Sequence, residues 1–454
     1  MQLPVDFIHG MKGLLGESDY SLFFEALQQE PPVSIRLNTK FTSAQVNKYQ
    51  SVSWCKNGYY LPSRPLFTAD PLFHAGAYYV QEASSMFIEQ IIKQHVQHDV
   101  IALDLCAAPG GKSTHLASLL SANSLLVSNE FIRSRANILA ENCMKWGNGN
   151  MIISSNSSDE IAQLESFFDF ILVDAPCSGE GMFRKDVNAI NEWSLLNVEM
   201  CVTRQRHILK QAWQALAEDG FLVYSTCTFN EKENEENIKW LIHELGAEYI
   251  PIAIDNFPEI TNTDVGYRFY PHKTKGEGLF MALVQKKSAC NKQNIKLKID
   301  KNKQNTADIE ALNLYINDSS DWIIQQNNQQ YRAILASKQQ EIKWIEKHLY
   351  VLFSGIQLAE KKGNDFVPHE HLALSKQLNT NSFQVVDVDW ITAIQFLKRE
   401  ALFLPDASKG YVLLQYNNVP LGWVKNIGNR CNNMYPSSWK VRMDISHFTN
   451  IQII

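Results

Sequence analysis

The run DLCAAPGGKSTHLA, residues 104–117, decides the fold. IALDLC (101–106) is a short apolar stretch, the glycine pair ends it, and THLASLLSA continues as a helix. Strand, turn and helix thus follow one another, and the pattern repeats outward. SSMFIEQIIKQHV (84–96) is helical before it. SLLVSNE (124–130) is a strand after it, with a helix near 131–146. MIISS (151–155) and FDFILVDA (168–175) are strands, and 195–217 is a long helix. FLVYSTC (221–227) is a strand, ENEENIKWLIHEL (233–245) a helix, and GLFMALVQK (278–286) a last strand. Short buried strands alternating with helices predict an α/β fold, a doubly wound, mostly parallel, Rossmann-like sheet over 76–286. Such sheets hold ligands beyond the carboxyl ends of their strands. Every distinctive motif of the chain falls at such an end.

The flanks read differently. Residues 17–29 put Tyr20, Phe23, Phe24 and Leu27 on one helical face, stopped by Pro31 and Pro32, and VSIRLN (33–38) alternates like a strand. Residues 1–75 are therefore a small α/β unit. Residues 287–305 belong to a stretch, 286–305, with seven Lys against one Asp, read as a flexible basic linker or a plain solvated spacer. Residues 306–375 are a mixed connecting region. Residues 376–454 are rich in strand residues and turns. There Lys409, Lys425, Arg430, Lys440 and Arg442 face a single Asp444, interleaved with Trp423, Tyr435 and Trp439. Basic and aromatic side chains on a small β unit suit RNA, whose bases stack on aromatic faces; an ordinary barrel surface reads the same way.

Composition bounds the possibilities. The chain has 454 residues, 45% hydrophobic and 20% charged, as in ordinary globular proteins, which excludes collagen-like or wholly disordered classes. Its 42 basic and 48 acidic side chains give a net charge of -6, excluding a strongly basic protein but not a local basic face. Eight cysteines with no CxxC pair argue against a disulfide framework or zinc module, and no metal is expected. MQLPVDFIHG does not read as a signal peptide, and no apolar run reaches 18 residues. The expectation is a cytoplasmic protein with free thiols and no membrane contact.

Four motifs carry chemistry. In 104–117 the glycines let a backbone approach a ligand at a helix N-terminus. GGKST resembles the tail of a P-loop, but Cys106 stands where the first glycine is needed and Pro109 removes an N–H, so a nucleoside ligand without a triphosphate cradle is favoured. Glu130 ends the next strand, where an acid accepts both hydroxyls of a ribose, or caps a helix. VDAPCSGEGMFRKD (173–186) sets Asp174 and Cys177 at the cleft, and YSTCTFNEKENEEN (224–237) sets Cys227 there. Two thiols beside a nucleoside site suit one reaction. A thiolate adds to C6 of cytosine, C5 becomes nucleophilic and takes a methyl group, and loss of the C5 proton expels the thiol. An acid near N3 and N4, a place Asp174 fits, assists the addition.

DLCAAPGGKS, NE at 129–130, DAPCSGEGMFRKD and YSTCTF followed by ENE closely resemble the S-adenosylmethionine-dependent RNA cytosine-5 methyltransferases of the Nop/Sun family. SIRLN (34–38), GAYYVQEASSM (76–86) and PHKTKGEGLFMA (271–282) resemble it too. The tail, LGWVKNIGNRCNNMYPSSWKVR (421–442), resembles the PUA-like C-terminal domain of its bacterial RsmF branch, which methylates 16S ribosomal RNA in the decoding region. The resemblance implies a methyltransferase domain at 76–286 and RNA-binding units at 1–75 and 376–454. It implies Cys227 as nucleophile, Cys177 in product release, and Asp174 on the target cytosine and near the cofactor. It implies that Cys106, Ala107, Ala108, Pro109, Gly110, Gly111 and Lys112 wrap S-adenosylmethionine. Glu130 would hold the ribose, and Asn156 stands where many members carry an Asp beside the adenine. Arg36, Asn38, Gln81, Ser84, Arg184, Lys185 and His272 match further motifs and support loops or RNA. The partner implied is 16S rRNA or the small ribosomal subunit, met by a monomer. A nucleotide hydrolase and an inactive RNA-binding factor are the rival classes.

Overall fold

The computed structural model describes residues 1–40, 46, 48–289, 305–444 and 453–454. Most of the basic stretch 287–305 lies outside the described residues. The first helix spans Val5–Leu27, earlier in its start than the sequence suggests, with Gly16 at φ +75 interrupting it. An antiparallel sheet follows: β1 (Val33–Leu37), β2 (Gln50–Ser51), β3 (Gly58–Leu61) and β4 (Tyr78–Val80), in spatial order 2-3-1-4. Because β4 pairs Val80 with Ile35, the N-terminal sheet runs past residue 75.

The central sheet is built on five parallel strands: β5 (Ile101–Asp104), β6 (Leu125–Asn129), β7 (Met151–Ser154), β8 (Phe168–Asp174) and β9 (Leu216–Thr226). Their order is 7-6-5-8-9. These strands carry buried apolar runs because both faces are covered, one by Ile91, Leu116 and Leu139, the other by Leu209, Ala212 and Leu241. The sheet is nevertheless mixed rather than mostly parallel. β10 (Ala247–Tyr249), β11 (Thr261–Thr263), β12 (Gly266–Phe269) and β13 (Leu279–Lys286) add an antiparallel edge beyond β9.

The connecting region folds as β14 (Trp322–Asn327), β15 (Gln330–Leu335), β16 (Val351–Ser354), β17 (Ile356–Lys362) and β18 (Asp365–Pro368). Four of these make their own sheet, while β16 leaves it and pairs antiparallel with β7 at the far edge of the central sheet. The C-terminal unit has β19 (Gln384–Asp387), β20 (Gly410–Tyr416), β21 (Val419–Asn426) and β22 (Cys431–Asn433). Its Phe396, Leu414 and Leu421 share one core with Ile35, Leu61 and Tyr78 of the N-terminal sheet. Trp423 and Tyr435 are fully buried, so they are core side chains and not the stacking platforms that their spacing among basic residues suggests. Among the described residues no helix is long and apolar enough to cross a membrane.

Gly147 marks one of the tight contacts between units. Gly147 caps the helix Arg133–Trp146 in the left-handed region, φ +84. A Cβ there would lie 2.2 Å from the Leu374 carbonyl oxygen. Lys40 Nζ donates to that same oxygen at 2.6 Å. Gly147→Ala would meet both the left-handed strain and this backbone overlap. A loss of at least about 2 kcal/mol in unfolding free energy is expected, read by denaturant titration.

Candidate active site

Strand register decides which side chains meet. β8 and β9 run parallel with Asp174 opposite Ser225. The chain past each strand then carries Cys177 and Cys227 to the same point, with their Sγ atoms 3.0 Å apart and both half-buried. Both are free thiols, well beyond the ~2.05 Å of a disulfide. The Cys177 thiol is held well above its ordinary range, first by its bond with Cys227 and then by burial. It therefore stays protonated at neutral pH.

Asp174 ties this point to the loop after β5. Its Oδ1 accepts from Ser225 Oγ at 2.6 Å, and its Oδ2 lies 2.7 Å from Lys112 Nζ. Burial works against the Lys112 charge, but Asp174 and Asp104 outweigh it and raise its pKa. The Ala107 N–H donates to the Asn129 carbonyl. The carbonyls of Ala108 and Pro109 accept from Arg135 Nη2 at 2.9 Å and Asn142 Nδ2 at 2.8 Å. With those carbonyls tied back and Gly110 at φ +115, the helix Gly111–Leu119 begins without a side-chain cap. Its first N–H groups are available to an anionic ligand. The Cys106 thiol beside them is pushed up by burial.

Two buried glutamates, neither given a role by the sequence reading, brace the cysteine loops against each other. Glu233 accepts from the Ser178 N–H at 3.0 Å, from Ser178 Oγ, from Gln205 Nε2 at 2.7 Å and from Asn230 Nδ2 at 2.7 Å. Glu180 accepts from the N–H groups of Phe229 and Asn230 at 2.7 and 2.9 Å and from Trp193 Nε1 at 3.0 Å. Each loop thus donates to an acid placed on or beyond the other. Their only trace in the sequence is that acids recur inside both cysteine motifs. Thr226, not Cys227, reaches the helix that follows, donating to Asn234 Oδ1 at 2.5 Å.

Glu130 ends the next strand and is 4% exposed, with Oε1 accepting from the Ile132 N–H at 3.0 Å and Arg135 3.6 Å from Oε2. Asn156 departs from expectation. Its Oδ1 accepts from the Tyr350 N–H at 2.8 Å and its Nδ2 donates to the Tyr350 carbonyl at 3.1 Å, so its amide is engaged by another segment of the chain. Arg36 is a brace: Nε donates to Gln81 Oε1 at 2.7 Å, Nη2 to Thr114 Oγ1 at 2.6 Å, and its guanidinium stacks 4.3 Å from the Trp146 ring centre. Asn38 bonds the carbonyls of Gly76 and Trp146. Arg184 pairs with Glu277 at 3.0 Å, and Lys185, more exposed, lies 3.4 Å from it. Ser84 is buried, and the enclosed His272 side chain lies 4.0 Å from Asp19 of the first helix. Among the described residues one set of metal-capable side chains converges: Cys55, Glu89 and His115. Glu89 already takes His115 Nε2 at 3.1 Å, Lys93 at 2.5 Å and the Lys56 N–H at 3.0 Å. It reads as a hydrogen-bonded knot in the core.

The family described as 16S rRNA methyltransferase RsmB/F matches residues 91–285. The N-terminal domain of 16S rRNA methyltransferase RsmF matches 3–83, and the methyltransferase RsmF PUA domain matches 383–441. Ribosomal RNA small subunit methyltransferase F of Vibrio vulnificus is 29% identical, covering 96% of this chain and 97% of that one. Its counterpart in Pectobacterium atrosepticum is also 29% identical, covering 96% and 95%. A solved methyltransferase homolog from Pyrococcus horikoshii is 28% identical with a TM-score of 0.51, over 63% of this chain and all of that one. NSun6 of the same organism, solved with SFG, shares the fold at 21% identity and a TM-score of 0.54, over 63% and 98%. Fold and site together define an S-adenosylmethionine-dependent RNA methyltransferase. Within that class the catalytic part of the chain is similar to the RsmB/F family, and its flanks are similar to the N-terminal and PUA domains of RsmF.

The site suits that cofactor. Besides the uncapped helix, Asp104 is fully buried and its Oδ1 has no partner, while Ser113 Oγ donates to Oδ2 at 2.6 Å. Burial raises Asp104 to about 7. A folded value above the ordinary 3.8 means that its ionisation opposes folding, from about pH 4 upward and in full above about 7. Asp104→Asn should therefore stabilise the free protein increasingly across that window, by up to roughly 4 kcal/mol. Melting temperatures at pH 4, 6 and 8 check this; an advantage that does not grow with pH contradicts it.

Proposed function

We propose that the chain methylates C5 of cytosine in 16S rRNA, in the decoding region, through a covalent adduct between Cys227 and C6. The observation that carries this reading is the 3.0 Å contact of Cys177 and Cys227 beside Asp174. One thiol serves as nucleophile, and the other, kept protonated, is a proton donor beside it. Cys227 adds to C6, and Asp174, oriented by Ser225 and Lys112, meets the N3–N4 edge of the cytosine. The cofactor supplies an electrophilic methyl group when bound. Residues 106–112 hold its methionine end and Glu130 its ribose hydroxyls. Loss of the C5 proton to water restores the ring double bond and expels Cys227, and the Cys177 thiol donates its proton to the departing thiolate. The target base reaches the thiols only when unstacked. The ribosomal substrate is supported by the relatives named small subunit methyltransferase F and by the matched PUA domain.

The test is covalent trapping. Cys177→Ala incubated with small-subunit RNA and S-adenosylmethionine should accumulate a denaturation-resistant protein–RNA adduct. Cys227→Ala and the double variant should form none, and each should lose at least about 10³-fold in turnover. An adduct from Cys227→Ala and none from Cys177→Ala would reverse the two roles.

A further inference from the structure

We infer that the segment around Tyr350, which lies outside the catalytic domain in sequence, completes the adenine end of the cofactor site, and that Asn156 is the residue that docks it there. A nucleoside cofactor lies along the carboxyl ends of β5, β6 and β7. With its ribose at Glu130, just past the end of β6, the base lies toward the end of β7. The Tyr350 segment arrives at that end. The Ser155 N–H donates to the Tyr350 carbonyl at 3.0 Å, and the Asn156 amide both donates to that carbonyl and accepts from the Tyr350 N–H. An amide makes this two-way clamp; an ionised carboxylate lacks the donor half. The Tyr350 ring stacks under the Arg133 guanidinium, 4.0 Å from its centre, and its hydroxyl accepts from Arg133 Nη2.

The surroundings are unusually apolar for a surface. Phe131 is 71% exposed, Ile132 49% and Tyr350 51%. Ser155 Oγ donates to the Phe131 carbonyl at 3.5 Å, so residues 131, 155 and 350 are neighbours. Phe131 and Ile132 directly follow the buried Glu130, and Ser155 links the Phe131 and Tyr350 backbones, so exposed apolar surface that suits a flat heterocycle lies beside that acid. Asn156 is thus a positioning residue that acts through Tyr350, and β16 enters the central sheet to bring the segment to this place.

The inference rests on the cofactor and not on the C5 chemistry, so it is tested by binding without RNA. Full-length wild type, Tyr350→Ala and Tyr350→Phe are titrated calorimetrically with S-adenosylmethionine and with adenosine. Tyr350→Ala should weaken both ligands by a similar factor, about tenfold for a lost aromatic face. Tyr350→Phe should bind both within about twofold of wild type, since its ring and the backbone clamp remain. Unchanged affinity of Tyr350→Ala for S-adenosylmethionine overturns the inference. So does a loss seen with S-adenosylmethionine but not with adenosine, which would place Tyr350 away from the base. Wild type that binds neither ligand overturns it together with the cofactor itself, while a failure of C5 methylation alone leaves these affinities as stated.

Discussion

The parallel pairing of β8 with β9 is the constraint on which the site depends. It sets Asp174 opposite Ser225 and so brings two cysteines 50 residues apart in sequence into sulfur contact. The contact needs both loops held, since neither is part of a strand. Glu180 and Glu233 hold them by accepting backbone and side-chain donors from each. Burial raises the pKa of Glu233, while Ser178, Asn230 and Gln205 oppose that by bonding its carboxylate. A buried acid with this many donors rigidifies its surroundings, and losing it would strand those donors. Lys112 then carries the linkage from Asp174 to the loop after β5.

Around that centre the outer units form a continuous frame. The first helix packs Phe23 edge-on against Phe229, two residues past Cys227, with centroids 5.0 Å apart. The N-terminal sheet shares its core with the C-terminal unit. Arg36 reaches from β1 to the helix that follows the cofactor loop. The connecting region adds β16 to the central sheet, and Asn156 reads its backbone. The flanking units are thereby packed onto the central domain rather than strung loosely beside it.

Much of this is legible in the residues. The five parallel strands announce themselves because burial on both faces demands unbroken apolar runs, and the glycine pair and Pro-Cys mark their loops. The antiparallel edge is less legible. Thr261–Thr263 and Ala247–Tyr249 are three-residue strands with no apolar run to signal them. The pairing of β16 is invisible locally, because its partner β7 lies some 200 residues earlier in the chain. Trp423 and Tyr435 mislead for a related reason: spacing among basic residues does not say which side of a strand faces the core. Asn156 has a polar side chain at the right strand end, yet its partner is Tyr350 of the same chain. The two cysteines were recognisable as a pair, but their near-symmetric contact does not rank them; that ranking rests on the resemblance.

The most direct test is the chemical identity of the product. Small-subunit particles are incubated with the full chain and methyl-labelled S-adenosylmethionine, and the RNA is digested to nucleosides and resolved by mass. The account predicts label in 5-methylcytidine and in no other nucleoside. Label in a methylated adenosine or guanosine, or in cytidine methylated at N4 or the ribose, would contradict it, because none of those reactions uses two thiols in contact.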